Sequence, residues 1–360
     1  MHSNKQILLS PTNLPKPVLK SVDNWAILQD PNNIKNIYQT VQNGMKKIFA
    51  TAHEVLVLPG SGTETMAASC QHFFAPGDEV VVPYNGKFGK LFYELAVRVG
   101  LNAIPVEFAN GEDIDVNITL SHITANTRGI LVTHNESATG ITTDIAEFGR
   151  QVQKYEDILL IVDAVSSAGC MPIDMDQKHL DVVLTTSKKA LMAPPGLSFI
   201  AVNNRAWQRA ESIAADKSTS PFGGNLVDAD LIFTKNAPAT EILVAVYQAL
   251  QLLEARGLEN VYTYHAENAK LLRTSMKDLG FQLLAKNPSS ASNSVTCILA
   301  PGKAKYYIKE LKKRNIEVGV GLDALTEDTF RVSTMGYISK QDITSFIRAL
   351  NEIVTTDELN

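Results

Sequence analysis

LLIVDAVSSAG (residues 159–169) and VVLTTSKKALMAPPG (residues 182–196) share one pattern. Each is a short apolar run that ends in polar residues. The apolar residues fill both alternations, as expected for strands covered on both faces. Five more runs of this kind fall at 55–58, 79–83, 103–108, 129–133 and 198–202. Helical patterns lie between several of them, at 63–74, 88–99 and 145–155. Strands alternating with helices predict an α/β fold with a mostly parallel, seven-stranded sheet wrapped by helices.

The pattern changes after residue 205. STSPFGG at 218–224 is a loop by composition. Helical stretches at 240–255 and 258–279 follow, separated near Gly257. The rest reads as strand 294–299, helix 303–314, strands 316–320 and 329–333, and helix 340–354. This predicts a large domain over residues 1–255, N-terminal segment included, and a small C-terminal α+β domain with an antiparallel sheet over 256–360.

The chain has 360 residues, 45% of them hydrophobic and 20% charged, which is enough apolar material for a sizeable core. A net charge of -5 gives no electrostatic reason to expect nucleic acid or a membrane as partner. Cys70, Cys170 and Cys297 are far apart and show neither zinc spacing nor a disulfide framework. They are expected as buried thiols in a reducing compartment. The start, MHSNKQILLSPTNLP, lacks the apolar core of a signal peptide, and no apolar run reaches membrane-span length. A soluble cytoplasmic protein is expected.

In an open parallel sheet, ligands gather at the carboxyl ends of the strands. After 55–58 comes Pro59-Gly60-Ser61-Gly62-Thr63 and then a helix. Glycines, hydroxyls and a helix N-terminus could cradle a phosphate. Alone, the stretch is a weak signal and reads more readily as a capped strand-to-helix turn. After 79–83 comes Tyr84-Asn85-Gly86-Lys87-Phe88-Gly89, where Phe88 could lie on a planar ring or start the core of a helix. After 129–133 comes the polar loop His134-Asn135-Glu136-Ser137-Ala138-Thr139-Gly140. Asp163 ends a buried run and needs a cationic or hydrogen-bonding partner. That partner could be structural, or it could be a protonated heterocyclic nitrogen. Lys188 and Lys189 end another buried run. Either could be a solvated surface lysine or an amine activated by burial. Together these groups match what pyridoxal 5′-phosphate requires: an anchored phosphate, a Schiff-base lysine and a carboxylate on the ring nitrogen.

The sequence resembles the class V aminotransferases of fold type I, and among them the alanine–glyoxylate and serine–pyruvate group. The likeness covers nearly the whole chain. It runs from Ser10-Pro11-Thr12-Asn13-Leu14-Pro15 through Gly60–Thr63, Asn85–Gly89, His134–Gly140 and Val162–Ser167. It continues through Ser187-Lys188-Lys189-Ala190-Leu191-Met192-Ala193-Pro194-Pro195-Gly196, Gly257–Asn260 and Phe330-Arg331-Val332. The resemblance implies that Ser61, Gly62 and Thr63 bind the cofactor phosphate. It implies that Phe88 stacks on the ring, Ser137 bonds near the ring hydroxyl, Asp163 pairs with the ring nitrogen and Lys189 carries the Schiff base. Arg331 would grip the substrate carboxylate. The implied activity is ping-pong transfer of an amino group from alanine or serine to glyoxylate or pyruvate. The implied assembly is a homodimer with sites at the subunit interface.

Three departures stand out. Where relatives have Ser-Gln-Lys, this chain has Ser187-Lys188-Lys189, which puts a cation where a phosphate-binding glutamine is usual. The segment Thr234-Lys235-Asn236-Ala237-Pro238-Ala239-Thr240 offers Asn236 and Thr240 for a threonine that relatives supply to the partner's phosphate. Ser10 stands where glycine is common in the substrate-facing opening segment. A 2-aminoethylphosphonate–pyruvate or ureidoglycine–glyoxylate aminotransferase fits the same motifs, as does a cofactor-binding protein without turnover. Cysteine desulfurases share the fold but need a reactive loop cysteine, and none of the three cysteines sits in an evident mobile loop.

Overall fold

The computed structural model describes residues 6–9, 13–23, 30–214 and 239–358. In chain order the first elements are β1 (Gln6–Leu8), α1 (Lys16–Ser21), α2 (Pro31–Phe49), β2 (Glu54–Gly60), α3 (Gly62–Phe73), β3 (Glu79–Tyr84), α4 (Lys87–Arg98), β4 (Asn102–Glu107) and α5 (Val116–Leu120). Next come β5 (Thr127–Thr133), β6 (Asn135–Glu136), β7 (Ile141–Thr142), α6 (Ile145–Val152), β8 (Leu159–Asp163), β9 (Val182–Thr186), β10 (Gly196–Val202) and α7 (Asn204–Ala214). The last are α8 (Thr240–Arg256), α9 (Leu258–Asp278), β11 (Gln282–Leu283), β12 (Val295–Leu299), α10 (Ala304–Lys313), β13 (Ile316–Val320), β14 (Thr329–Ser333) and α11 (Lys340–Glu358).

All seven runs predicted as strands lie in one sheet, ordered β2-β10-β9-β8-β5-β3-β4. β10 is antiparallel to both neighbours, and the other pairings are parallel. The doubled alternation has a direct cause. Leu160, Val162, Val183 and Phe199 face a core shared with α2, α6 and α8. Leu159, Ile161, Leu184 and Ile200 face the opposite core, shared with α3, α4 and α7. Each such side chain, fully buried, contributes roughly 1.5–3 kcal/mol. A strand with a helix layer on each side therefore has no polar alternation.

The second sheet is ordered β1-β13-β14-β12-β11. It differs from the expected antiparallel sheet at one edge, where β1 pairs parallel with β13, Gln6 opposite Ile316 and Leu8 opposite Val318. The N-terminal segment thus covers an edge that β13 would otherwise leave open. β1 has three residues. That is too short for any periodicity, and its partner lies at the far end of the sequence. α8 packs on the large core through Leu243, Val246 and Leu253. α9 packs Leu272 and Met276 on the second sheet's core. Gly257 turns the chain between them at φ +81°, a conformation suited to glycine. No described helix is long and apolar enough to cross a membrane.

The parallel strands place their carboxyl ends along one edge. Gly60, Tyr84, Thr133, Asp163 and Thr186 end β2, β3, β5, β8 and β9 there. β10 enters the same edge at Gly196, opposite Gly60.

Candidate active site

A cavity of about 440 Å³ lies between this edge and the second sheet. Phe88, Ser137, Lys189 and Arg331 all line it. Its other walls are mostly apolar and include Leu8, Leu9, Val318, Val320 and Leu322. The two leucines come from β1 and the residue after it. The unforeseen strand is what brings the N-terminal segment to the site.

Lys189 follows β9 in a turn fixed by its neighbours. The Ser187 N–H donates to Leu197 O at 2.9 Å, and its hydroxyl donates to Pro194 O at 2.6 Å. The Met192 N–H donates to Lys189 O at 3.1 Å, with Met192 at φ +57°. Burial pushes the Lys189 amine down to about 8, and the Lys188 charge adds to this while Asp163 opposes it. Such a lysine is neutral often enough to act as a nucleophile near neutral pH.

Asp163 is 4% exposed at the end of β8, and its carboxylate accepts the Val165 N–H at 2.8 Å. Burial pushes it up to about 7, and the nearby Glu136 charge adds to the rise. One N–H donor, the count among the described residues, is poor compensation for a buried carboxylate. The site therefore favours a proton or a cation beside it.

Ser61 caps α3. Its hydroxyl accepts the Glu64 N–H at 3.3 Å, and the Glu64 carboxylate accepts the Ser61 N–H. The stretch is a capping box, and the first helical N–H groups, those of Gly62 and Thr63, have no partner within the helix. A Cβ on Gly62 would stand 2.9 Å from Val165 Cγ2 and 3.1 Å from Thr186 Cγ2. Glycine thus lets the helix end settle onto the turns after β8 and β9. The groups fit the implied cofactor in kind, with helix N–H groups for a phosphate, a buried carboxylate short of donors and a lysine with a depressed pKa, although Ser61, Gly62, Thr63 and Asp163 do not line the cavity that holds Lys189. Thr186 Oγ1 is buried without a hydrogen-bond partner among the described residues.

Arg331 sits on β14. Its Nε donates to Val320 O and its Nη1 to Ser137 O, both at 2.9 Å. These bonds fix the guanidinium plane in the cavity wall and leave N–H groups over for a carboxylate. Lys87, at the cavity mouth, is paired with Asp323 at 2.9 Å.

Glu136 was missed as a site residue. It is 1% exposed, and its carboxylate accepts the N–H groups of Phe88, Gly89 and Ala138. Local sequence showed only a polar loop, because two of these partners, Phe88 and Gly89, lie on a helix distant in sequence. Ser10 and Asn236 lie outside the described residues. Thr240 opens α8, with its hydroxyl on Glu241 Oε2 at 3.4 Å, and it does not line the cavity of its own subunit. Lys188 does not line that cavity either. Cys70, Cys170 and Cys297 are all buried free thiols. Burial raises each of their pKa values, the opposite of what a reactive cysteine needs.

A family model described as Aminotransferase class-V matches residues 12–346. The soluble hydrogenase 42 kDa subunit of Anabaena cylindrica is 30% identical over 350 residues, covering 96% of this chain and 91% of that protein. The L-aspartate–glyoxylate aminotransferase of Paracoccus denitrificans is 28% identical, covering 98% and 91%. Among solved structures, ureidoglycine–glyoxylate aminotransferase from Bacillus subtilis superposes with a TM-score of 0.90 at 23% identity, covering 99% and 94%.

Proposed function

Because the chain belongs to the class V aminotransferase family, we propose that it moves the amino group of alanine or serine to glyoxylate or pyruvate in two half-reactions. Pyridoxal 5′-phosphate is the cofactor, and when bound it supplies the electron sink for the carbanion formed at the substrate's α-carbon. The observation that carries the proposal is the single cavity shared by Lys189, Phe88, Ser137 and Arg331. In this reading Lys189 would hold the cofactor and would move the substrate's α-proton as general base and acid. Asp163 holds a proton at the ring nitrogen. Phe88 and Ser137 orient the ring, and the N–H groups of Gly62 and Thr63, with Ser61 and Lys188 nearby, bind the phosphate. Arg331 binds the substrate carboxylate. Asn236 or Thr240 would reach the partner's phosphate in a cytoplasmic homodimer, and Ser10 would lie near the substrate. The division into large and small domains near residue 255 belongs to the same reading, with β1 joining the small domain's sheet.

The cavity wall supports a small monocarboxylic donor. A dicarboxylic donor, such as the aspartate in the Paracoccus relative's name, needs a second free cation. Lys87 is the cation at the mouth, and Asp323 already neutralises it. Half-reactions followed by cofactor absorbance should rank alanine and serine at least about tenfold above aspartate and 2-aminoethylphosphonate. An excess for aspartate or the phosphonate overturns the donor assignment. Failure of every donor to bleach the yellow protein favours the binding-only reading.

A pH dependence follows from Lys189. Only the neutral Lys189 amine is nucleophilic, and its pKa is lowered to about 8. Cofactor attachment to apoprotein should therefore speed up as pH rises through about 8 and then level off. Lys188→Gln removes one of the charges that lowers that pKa, so its midpoint should move to higher pH. Stopped-flow absorbance against pH measures both; a midpoint unmoved in the variant would show that the Lys188 charge does not tune its neighbour.

A further inference from the structure

Helix α4 carries Phe88 but cannot cap itself. Its N-cap is Gly86, which has no side chain to bond the first N–H groups. The cap comes from Glu136, on β6. One carboxylate oxygen accepts the Phe88 N–H at 2.7 Å and the Gly89 N–H at 3.0 Å. The other accepts the Ala138 N–H at 2.8 Å. Gly86 allows this approach, since a Cβ there would stand 2.5 Å from Glu136 Cγ. The next residue, Ser137, accepts Arg331 Nη1 on its carbonyl at 2.9 Å. One buried carboxylate thus ties the start of the Phe88 helix to the Ser137 loop, and through that loop to Arg331.

Burying a carboxylate is costly, and burial does raise the Glu136 pKa against the pull of its three N–H donors and of Arg331. A local Ser or Asp at position 86 could cap the helix without this cost. It could not, however, hold Phe88 and Ser137 in one register. We propose that Glu136 is a positioning residue for the cofactor ring, fixing Phe88 and Ser137 against it and setting the plane of Arg331. The proposal rests on the reading that Phe88 and Ser137 face the cofactor.

The test compares holoenzyme variants by cofactor Kd, visible circular dichroism of the bound cofactor and KM for the amino donor. Glu136→Ala should weaken cofactor binding at least about tenfold, alter the visible dichroism and raise KM. Glu136→Gln should fall between Glu136→Ala and the parent. Its amide oxygen can still accept from Phe88 and Gly89, but its NH₂ then meets the Ala138 N–H donor to donor. Glu79 is the control. It is also a buried carboxylate, 9% exposed, and it accepts the Thr124 and Thr127 hydroxyls at the opposite end of β3. Glu79→Gln should lower Tm and leave Kd and dichroism unmoved.

If Glu136→Ala does not fold, Gly86→Ala, which pushes directly on the carboxylate, decides with Glu136→Gln. Unchanged Kd and dichroism in the folded Glu136 variants, or an effect on Tm alone, overturns the proposal. Phe88→Ala reports on the underlying reading. If it leaves the dichroism unmoved, the ring contact itself is wrong. If it moves the dichroism and Glu136→Ala does not, only the positioning role falls.

Discussion

Lys189→Ala should leave a folded protein whose turnover is lower by about 10⁴-fold, the upper end of what one positioned acid–base group contributes. The fold should survive because the turn does not depend on the amine. Ser187 bonds to Leu197 and Pro194, and Met192 bonds to the Lys189 carbonyl, so the backbone is held without the side chain. On the proposed assignment, what disappears is the nucleophile that would hold the cofactor and the base that would move the α-proton. Borohydride reduction of the parent holoenzyme followed by peptide mass analysis should place the trapped cofactor on Lys189, not Lys188. Full turnover in Lys189→Ala, or trapping on Lys188, would sink the assignment. This choice matters because two lysines stand side by side, and only one shares the cavity with Ser137 and Arg331.

Asp163→Asn should lower turnover by roughly 10²- to 10⁴-fold, the rate equivalent of the about 3–5 kcal/mol lost when one partner of a buried ion pair is removed. Asparagine has nearly the same shape and can still accept the Val165 N–H, so the strand end is preserved. It cannot hold a proton at the ring nitrogen. The apoprotein should respond in the opposite sense. Burial raises the Asp163 pKa to about 7, from an ordinary value of 3.8. A raised carboxyl pKa means the native state binds the proton better than the unfolded chain does. Its contribution to stability is complete below about 3.8 and is lost as pH rises through about 7. Above that pH the apoprotein carries an under-compensated buried charge. Asp163→Asn should therefore melt at or above the parent Tm in alkaline buffer while turning over far more slowly. A variant with parent-like turnover, or a variant apoprotein markedly less stable than the parent apoprotein at alkaline pH, contradicts this account.

The large sheet was legible in the sequence because its strands are buried on both faces. Leu159 to Val162 are apolar without a break, since α3 and α4 cover one side and α2 and α8 the other. The polar residues after each run were legible for a related reason. A parallel sheet exposes its carboxyl ends together, so the sequence alone assigns Asp163, Lys189 and Ser137 to one edge. β1 was not legible, because three residues carry no period and their partner, β13, is nearly the whole chain away.

By itself the sequence determined the seven strands of the large sheet and the helices α3, α4, α6 and α8 to α11, but not α1, α2, α5 or α7, and it singled out the candidate reactive groups, because burial periodicity and residue chemistry are local. Only the tertiary structure decided that Leu8 and Leu9 wall the cavity, that Lys87 is neutralised by Asp323, and that Glu136 caps the helix bearing Phe88. Each of these depends on a contact between segments far apart in the chain. The distance at which such a contact forms is set by packing, and no local pattern encodes it.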